Sequence, residues 1–202
     1  MDEKLQKGNQ KERENKQLKI FFVGIGIVVL LIIFTILIIN YTKHFEIKGV
    51  TFNVVKEIAP YKTSVPVIAY GKKAEYDFYL RKDPRILEKE IPFEGTLFIR
   101  KNLVFDNAAG ENLSCEGDTT IAAINLLRPF RLLGVNVSAK EDNEKYSPKE
   151  DFMFITLKEG NKTEIKKIDE FNYDIIINNC EIFEGTERFM LETLEQINTE
   201  WI

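Results

Sequence analysis

The sequence predicts a protein of the α/β or α+β class: a mixed β-sheet domain with helices on one face, preceded by one transmembrane helix. Three observations point there. Residues 20–39, IFFVGIGIVVLLIIFTILII, form a run of twenty residues without a charge. Between 45 and 105, apolar and polar residues alternate with the period of two that belongs to strands. In 118–134 the apolar spacing changes to that of a helix face.

The apolar run comes first. At about 1.5 Å rise per residue, twenty helical residues span about 30 Å, the thickness of a bilayer's hydrocarbon core. Only Gly24, Gly26 and Thr35 interrupt its Ile, Val, Leu and Phe. At roughly 0.3–0.6 kcal/mol each, the remaining side chains favour insertion by about 5–10 kcal/mol. A cleaved signal peptide would have a shorter apolar region, about 7–15 residues, and a small-residue cleavage site after it. Here NYTKHFE follows, so the segment reads as an uncleaved signal anchor. Its contact, through residues 20–39, is membrane lipid.

Flanking Lys and Arg resist translocation and set orientation. Lys4, Lys7, Lys11, Arg13, Lys16 and Lys19 precede the run, and only Lys43, Lys48 and Lys56 fall in the twenty residues after it. The amino terminus is therefore expected in the cytoplasm, and the carboxyl-terminal part outside the cell membrane. Residues 1–19 are polar and lack hydrophobic periodicity, so they read as a disordered cytoplasmic tail. Residues 40–202 remain for one extracytoplasmic domain, β-rich over 45–105 and α/β over 106–202. Six of the 28 basic and four of the 32 acidic residues lie before the run, leaving 22 against 28 and a net charge of −6 beyond it. Such a surface repels polyanions, so no nucleic acid is expected as a partner.

The elements of the domain follow in order. VTFNVVKEI alternates Val50, Phe52 and Val54 against Thr51, Asn53 and Val55, the pattern of a strand with one buried face. SVPVIAYG and AEYDFYLR flank Gly71 and read as a hairpin, which KDPR then breaks at Pro84. GTLFIRKNLVFD resumes as strand. In DTTIAAINLLRPFRLLG, Ala123, Leu126, Leu127, Phe130 and Leu133 fall on one helical face, with Asp118 as N-cap, Gly134 as C-cap and a kink at Pro129. VNVSAK reads as strand and EDNEKYSPKED as exposed loop. Gly160-Asn161 between two alternating runs predicts a hairpin. YDIIINN, the most apolar run of the domain, predicts a central strand. A closing helix is expected from near Thr186, with Phe189, Met190, Leu194 and Ile197 facing inward.

Chemistry is sparse. Cys115 precedes a helix start, where the dipole favours a thiolate, and that is the case for a nucleophile. His44, the single histidine, lies beside the apolar run and is badly placed to act as its base. Zinc wants about four ligands, and two thiols with one distant imidazole do not supply them, so metal: none. Asp106, Glu111, Glu116 and Asp118 lack the spacing of a calcium loop. A Cys115–Cys180 disulfide needs an oxidising compartment and proximity; if the strands before the two cysteines run parallel and close, both sulfurs emerge at one sheet edge. That pairing is the favoured expectation, with two inert thiols as the alternative. Sequons at Asn112, Asn136 and Asn161 are glycosylation candidates, while that at Asn40 lies too near the lipid. Tyr76, Phe78 and Tyr79 read as core and sheet face; Arg81 and Arg85 beside them read first as surface charge, with anion binding as the alternative. No cofactor motif is found: GIG at 24–26 lies within the anchor and lacks a third glycine.

EYDFYLRKDPR, residues 75–85, resembles a stretch of uncharacterised small single-pass membrane proteins of archaeal type, and the likeness extends to the anchor and to NNCEI…ERF, Asn178 to Phe189. The resemblance implies an anchor and an external domain, and no activity. The sequence thus supports a binding or structural role in the cell envelope, toward an envelope protein or surface polymer. The alternative is an envelope enzyme working through Cys115 or the adjacent acidic loop.

Overall fold

The structure is a computed structural model describing residues 2–57, 59–69, 72–108, 115, 117–140 and 151–200. The chain divides into two compact units, Met1–His44 and Phe45–Ile202. The first is essentially one helix, α1 (Asp2–Lys43). Within it Phe21–Lys43 is long and apolar enough to cross a membrane, and none of it is buried in protein. The tail expected to lack regular structure instead continues this helix. Its Lys, Glu and Gln are good helix formers, and extending an established helix avoids the unfavourable nucleation step.

The second unit is mixed α/β, as its sequence patterns predict. Among the described residues it holds two sheets. The first is a meander, β1 (His44–Ile47), β2 (Val50–Val54), β3 (Tyr61–Ala69) and β4 (Lys72–Leu80), lying side by side in chain order. β3 and β4 pair antiparallel from Tyr61↔Leu80 to Ala69↔Lys72, the expected hairpin. α2 (Pro84–Glu90) follows where the sequence suggested only a break: Asp83 accepts from the Arg85 N–H at 2.9 Å as N-cap, and Pro84 occupies the first helical position, where its missing donor is harmless.

The second sheet contains β5 (Asn102–Asn107), β6 (Asn136–Ala139), β7 (Phe152–Glu159), β8 (Glu164–Lys167) and β9 (Asn172–Ile177), in the order β6-β5-β7-β9-β8. β6, β5, β7 and β9 run parallel, and β8 is antiparallel to β9. The run from Gly95 to Lys101 is irregular rather than strand. β7 and β8 are not a hairpin either, because β9 lies between them. Its Ile175 and Ile177 bury completely there, between a strand on each side. Gly160 permits the insertion: a Cβ there would stand 2.3 Å from the Ile176 Cγ2.

α3 (Asp118–Leu132) connects β5 to β6, and α4 (Ile182–Glu200) closes the chain. The N-cap of α3 is Gly117, in the left-handed region at φ 86°, one residue ahead of the expected Asp118; Leu133 caps its far end, followed by left-handed Gly134. α4 begins one turn before Thr186. Along β7, Met153, Ile155 and Leu157 point to the side covered by helices, while Phe154, Thr156 and Lys158 lie half-buried on the other. α4 serves both sheets. Ile182, Phe183 and Phe189 in its first half join the core of the five-stranded sheet, and Met190, Leu191, Leu194 and Ile197 join Phe52, Phe78, Leu80 and Leu87 over the four-stranded one.

Candidate functional site

β4 is the outer strand of its sheet, and its hydrogen-bond phase follows from one proline. Pro66 has no N–H and sits opposite Glu75, so that pair is of the kind that exchanges no ladder bonds. By alternation Ser64↔Asp77 and Lys62↔Tyr79 are of the same kind. The N–H and C=O groups of Asp77 and Tyr79 therefore point away from β3, toward an edge with which no described strand pairs. Arg81 continues the phase. Its outward N–H donates to Glu187 Oε1 at 2.9 Å, and the next N–H, of Lys82, donates to Oε2 at 3.0 Å.

Along this edge runs a cleft of about 360 Å³. One wall is β4, through Asp77 and Tyr79. The other is α3, through Ile121, Asn125 and Arg128, which recur at helical spacing on one face. Ala59, Phe78 and Met190 give an apolar floor, and Glu187 closes one end beside Arg81. Ile121 is 47% exposed, a large apolar side chain left facing the opening.

The charges lining the cleft differ in how they are held. Asp77 is paired with Lys62 at 2.6 Å and accepts from Ser64 at 2.7 Å, and these bonds, the lysine's first, hold its carboxyl below the usual carboxylate range. The Tyr79 hydroxyl is bonded to Glu57, which lifts the phenol's pKa. Glu187 is buried on α4, and burial pushes its carboxyl up to about 7 against the pull of the two backbone donors and the Arg81 charge. Arg81 lays its guanidinium 3.7 Å over the Phe183 ring. Neither it nor Arg128 has a carboxylate at ion-pair distance among the described residues. The acids are thus engaged within the protein, and two cations remain presented to a ligand.

Cys115 and Cys180 are joined, with an S–S distance of 2.06 Å. Cys115 follows β5 and Cys180 follows β9; the two strands run parallel with only β7 between them, so both sulfurs emerge at the carboxyl edge of the sheet. That edge is where open α/β sheets commonly bind ligands. Here a covalent tie spans it, and Cys115 has no thiolate to offer. Of the acidic loop, Asp106 pairs with Lys140 at 2.6 Å and Asp118 lies in the first turn of α3, while Glu111 and Glu116 fall outside the described residues, as does Asn112. No group of three metal-ligating side chains occurs among the described residues. Asn136 opens the edge strand β6 and Asn161 sits in the β7–β8 turn, both exposed.

The aromatic stretch divides between core and cleft. Phe78 is buried with Tyr76 at its border, and Tyr79 faces the cleft from the other side of the strand. Arg81 belongs to the site. Arg85 does not: it pairs with Asp83 and stacks 4.1 Å over Phe45. Sequence reading missed Asn125, Arg128 and Glu187. The available signal was Glu187 itself, a charge placed between Phe183 and Met190 on the apolar face of α4. The chain matches no family model, no curated protein and no solved structure. The residues of the cleft therefore carry whatever can be argued about its use.

Proposed function

We propose that this is a single-pass protein of the cell membrane, with its amino terminus cytoplasmic and its carboxyl-terminal domain an extracytoplasmic binding module that performs no covalent chemistry. One juxtaposition carries the reading: an apolar helix that buries nothing in protein precedes a domain whose two cysteines are both committed to one disulfide. Exposed Ile, Leu and Phe along five turns are tolerated in lipid and not in water. Disulfides persist in oxidising compartments, and the excess of basic residues before the helix retains that end inside. A cleft whose acids are all engaged, beside a cysteine with no free thiol, favours holding a ligand over transforming it.

The test treats intact cells with an impermeant protease and a thiol reagent. The domain is expected to be cleaved without lysis, and its cysteines to label only after reduction. Digestion that requires lysis, or two thiols that label in unreduced protein from its native membrane, would overturn the proposal.

A further inference from the structure

We infer that the cleft beside β4 binds an extended peptide segment bearing an acidic side chain, which adds as a fifth strand to the four-stranded sheet. The inference rests on reading the domain as a binding module and supplies its partner class. Four features of the cleft converge on it. The outward N–H and C=O groups of Asp77 and Tyr79 present one full strand repeat of donors and acceptors, which is what a peptide backbone pairs with. The α3 face of Ile121, Asn125 and Arg128 stands opposite, so an incoming strand is received in a slot rather than on an open edge. The apolar floor of Ala59, Phe78 and Met190 takes every second side chain, as the alternation of a strand requires.

Charge selects among peptides. Asp77, Glu57 and Glu187 are each held by protein donors, and Arg81 and Arg128 are the groups left for a carboxylate. Arginine's planar fork suits a carboxylate particularly well. Glu187 sets the limit of the added strand: by taking the Arg81 and Lys82 N–H groups it ends the available edge after Tyr79. The cleft volume, at the lower end of the range for ligand sites, fits a few residues of such a segment rather than a long strand. An unlined edge as long as β4 is normally a liability toward association, and here its charged Lys73, Glu75 and Asp77 leave the cleft end as the place where pairing is shaped by a second wall.

The test uses the full chain in lipid nanodiscs, panned with a displayed library of random decapeptides against empty nanodiscs. Recovered peptides should be enriched in Asp or Glu and should slow amide exchange across 77–79. Two variants probe the cleft: Asp77→Pro removes an N–H that bonds to no neighbouring strand, with Asp77→Ala as the control for the loss of the carboxylate that pairs with Lys62 and Ser64, and Arg128→Glu changes an exposed helix position. Both variants are expected to weaken binding of those peptides about tenfold or more. Recovery of no peptide, enrichment of neutral or basic ones, equal binding by both variants, or free glutamate binding as tightly as the peptides would overturn the inference. None of these results bears on which side of the membrane the domain occupies, which the protease experiment decides separately.

Discussion

A carboxylate taken out of water on the apolar face of α4 must give up its charge or find donors, and Glu187 does some of each. Burial raises its pKa to about 7, while the Arg81 and Lys82 N–H groups and the Arg81 charge restrain the rise. Glu184, the other acid near it, opposes ionisation and is itself paired with the Lys82 ammonium at 3.0 Å. The consequence for stability has a definite sign. Below the ordinary value of 4.5 the group is protonated in both folded and unfolded chains, and its contribution is fully present. As pH rises toward 7 the unfolded chain ionises first, and stability falls by a total on the order of 3 kcal/mol before levelling above the folded value. Glu187→Gln should remove that slope between pH 4.5 and about 7 in denaturant titrations; an unchanged slope would show that Glu187 is not its source. Asp83 works in the opposite direction. Bonds from Arg85 hold its carboxyl low, and it caps α2 while accepting from the Tyr61 hydroxyl at 3.2 Å. Asp83→Ala should destabilise the domain by about 1–2 kcal/mol at neutral pH, measured by the shift of the unfolding midpoint.

At the scale of elements, the disulfide and the β7–β9–β8 arrangement limit one another's freedom. Cys115–Cys180 closes a loop of 65 residues that contains α3, β6, β7, β8 and β9. In the chain-entropy account that closure stabilises by about 4 kcal/mol, and reduction under non-denaturing conditions should lower the unfolding free energy by about that amount. Gly160→Ala should cost about 1–3 kcal/mol, since its methyl would stand 2.3 Å from the Cγ2 of half-buried Ile176 on β9 and must displace that side chain or the turn; thermal unfolding of the variant checks this. Much of this level was legible in the sequence. Alternation located β2, β3 and β4, helical spacing located α3 and the inward face of α4, and the apolar run YDIIINN was correctly placed inside a sheet. What was not legible depends on partners distant in sequence. Local turn chemistry at Gly160-Asn161 signals a hairpin equally well whether or not a third strand enters between its arms. Likewise no local pattern announces that α4 divides its apolar stripe between two sheets. The cleft was barely visible for the same reason: of EYDFYLR only Arg81 reads as a group that could bind an anion, Phe78 and Tyr79 read as core and sheet face, and Asp77, Arg128 and Glu187 join them only through strand pairing and the packing of α3 and α4.

For the whole molecule, orientation and covalent structure are coupled, and the coupling can be tested by moving charge alone. The six basic residues before the apolar helix oppose translocation of that end, against three in the stretch beyond it. Replacing Lys4, Lys7, Lys11, Arg13, Lys16 and Lys19 with Gln reverses the bias while leaving every residue of the domain as it is. Part of the population should then insert with the domain on the cytoplasmic side. Translation into sealed microsomes reads the two orientations directly. Asn161, exposed in the β7–β8 turn, is an acceptor only in the lumen, so the wild-type chain should gain a glycosidase-sensitive gel shift and the inverted fraction should not. The same fraction, in a reducing compartment, should have both cysteines free and lose the stabilisation of the closed loop, becoming the more readily digested form when protease is added outside. A tail without its basic residues that leaves glycosylation, thiol state and protease sensitivity as in the wild type would mean that something other than flanking charge orients the chain, and the compartment assigned to the cleft would lose its physical basis.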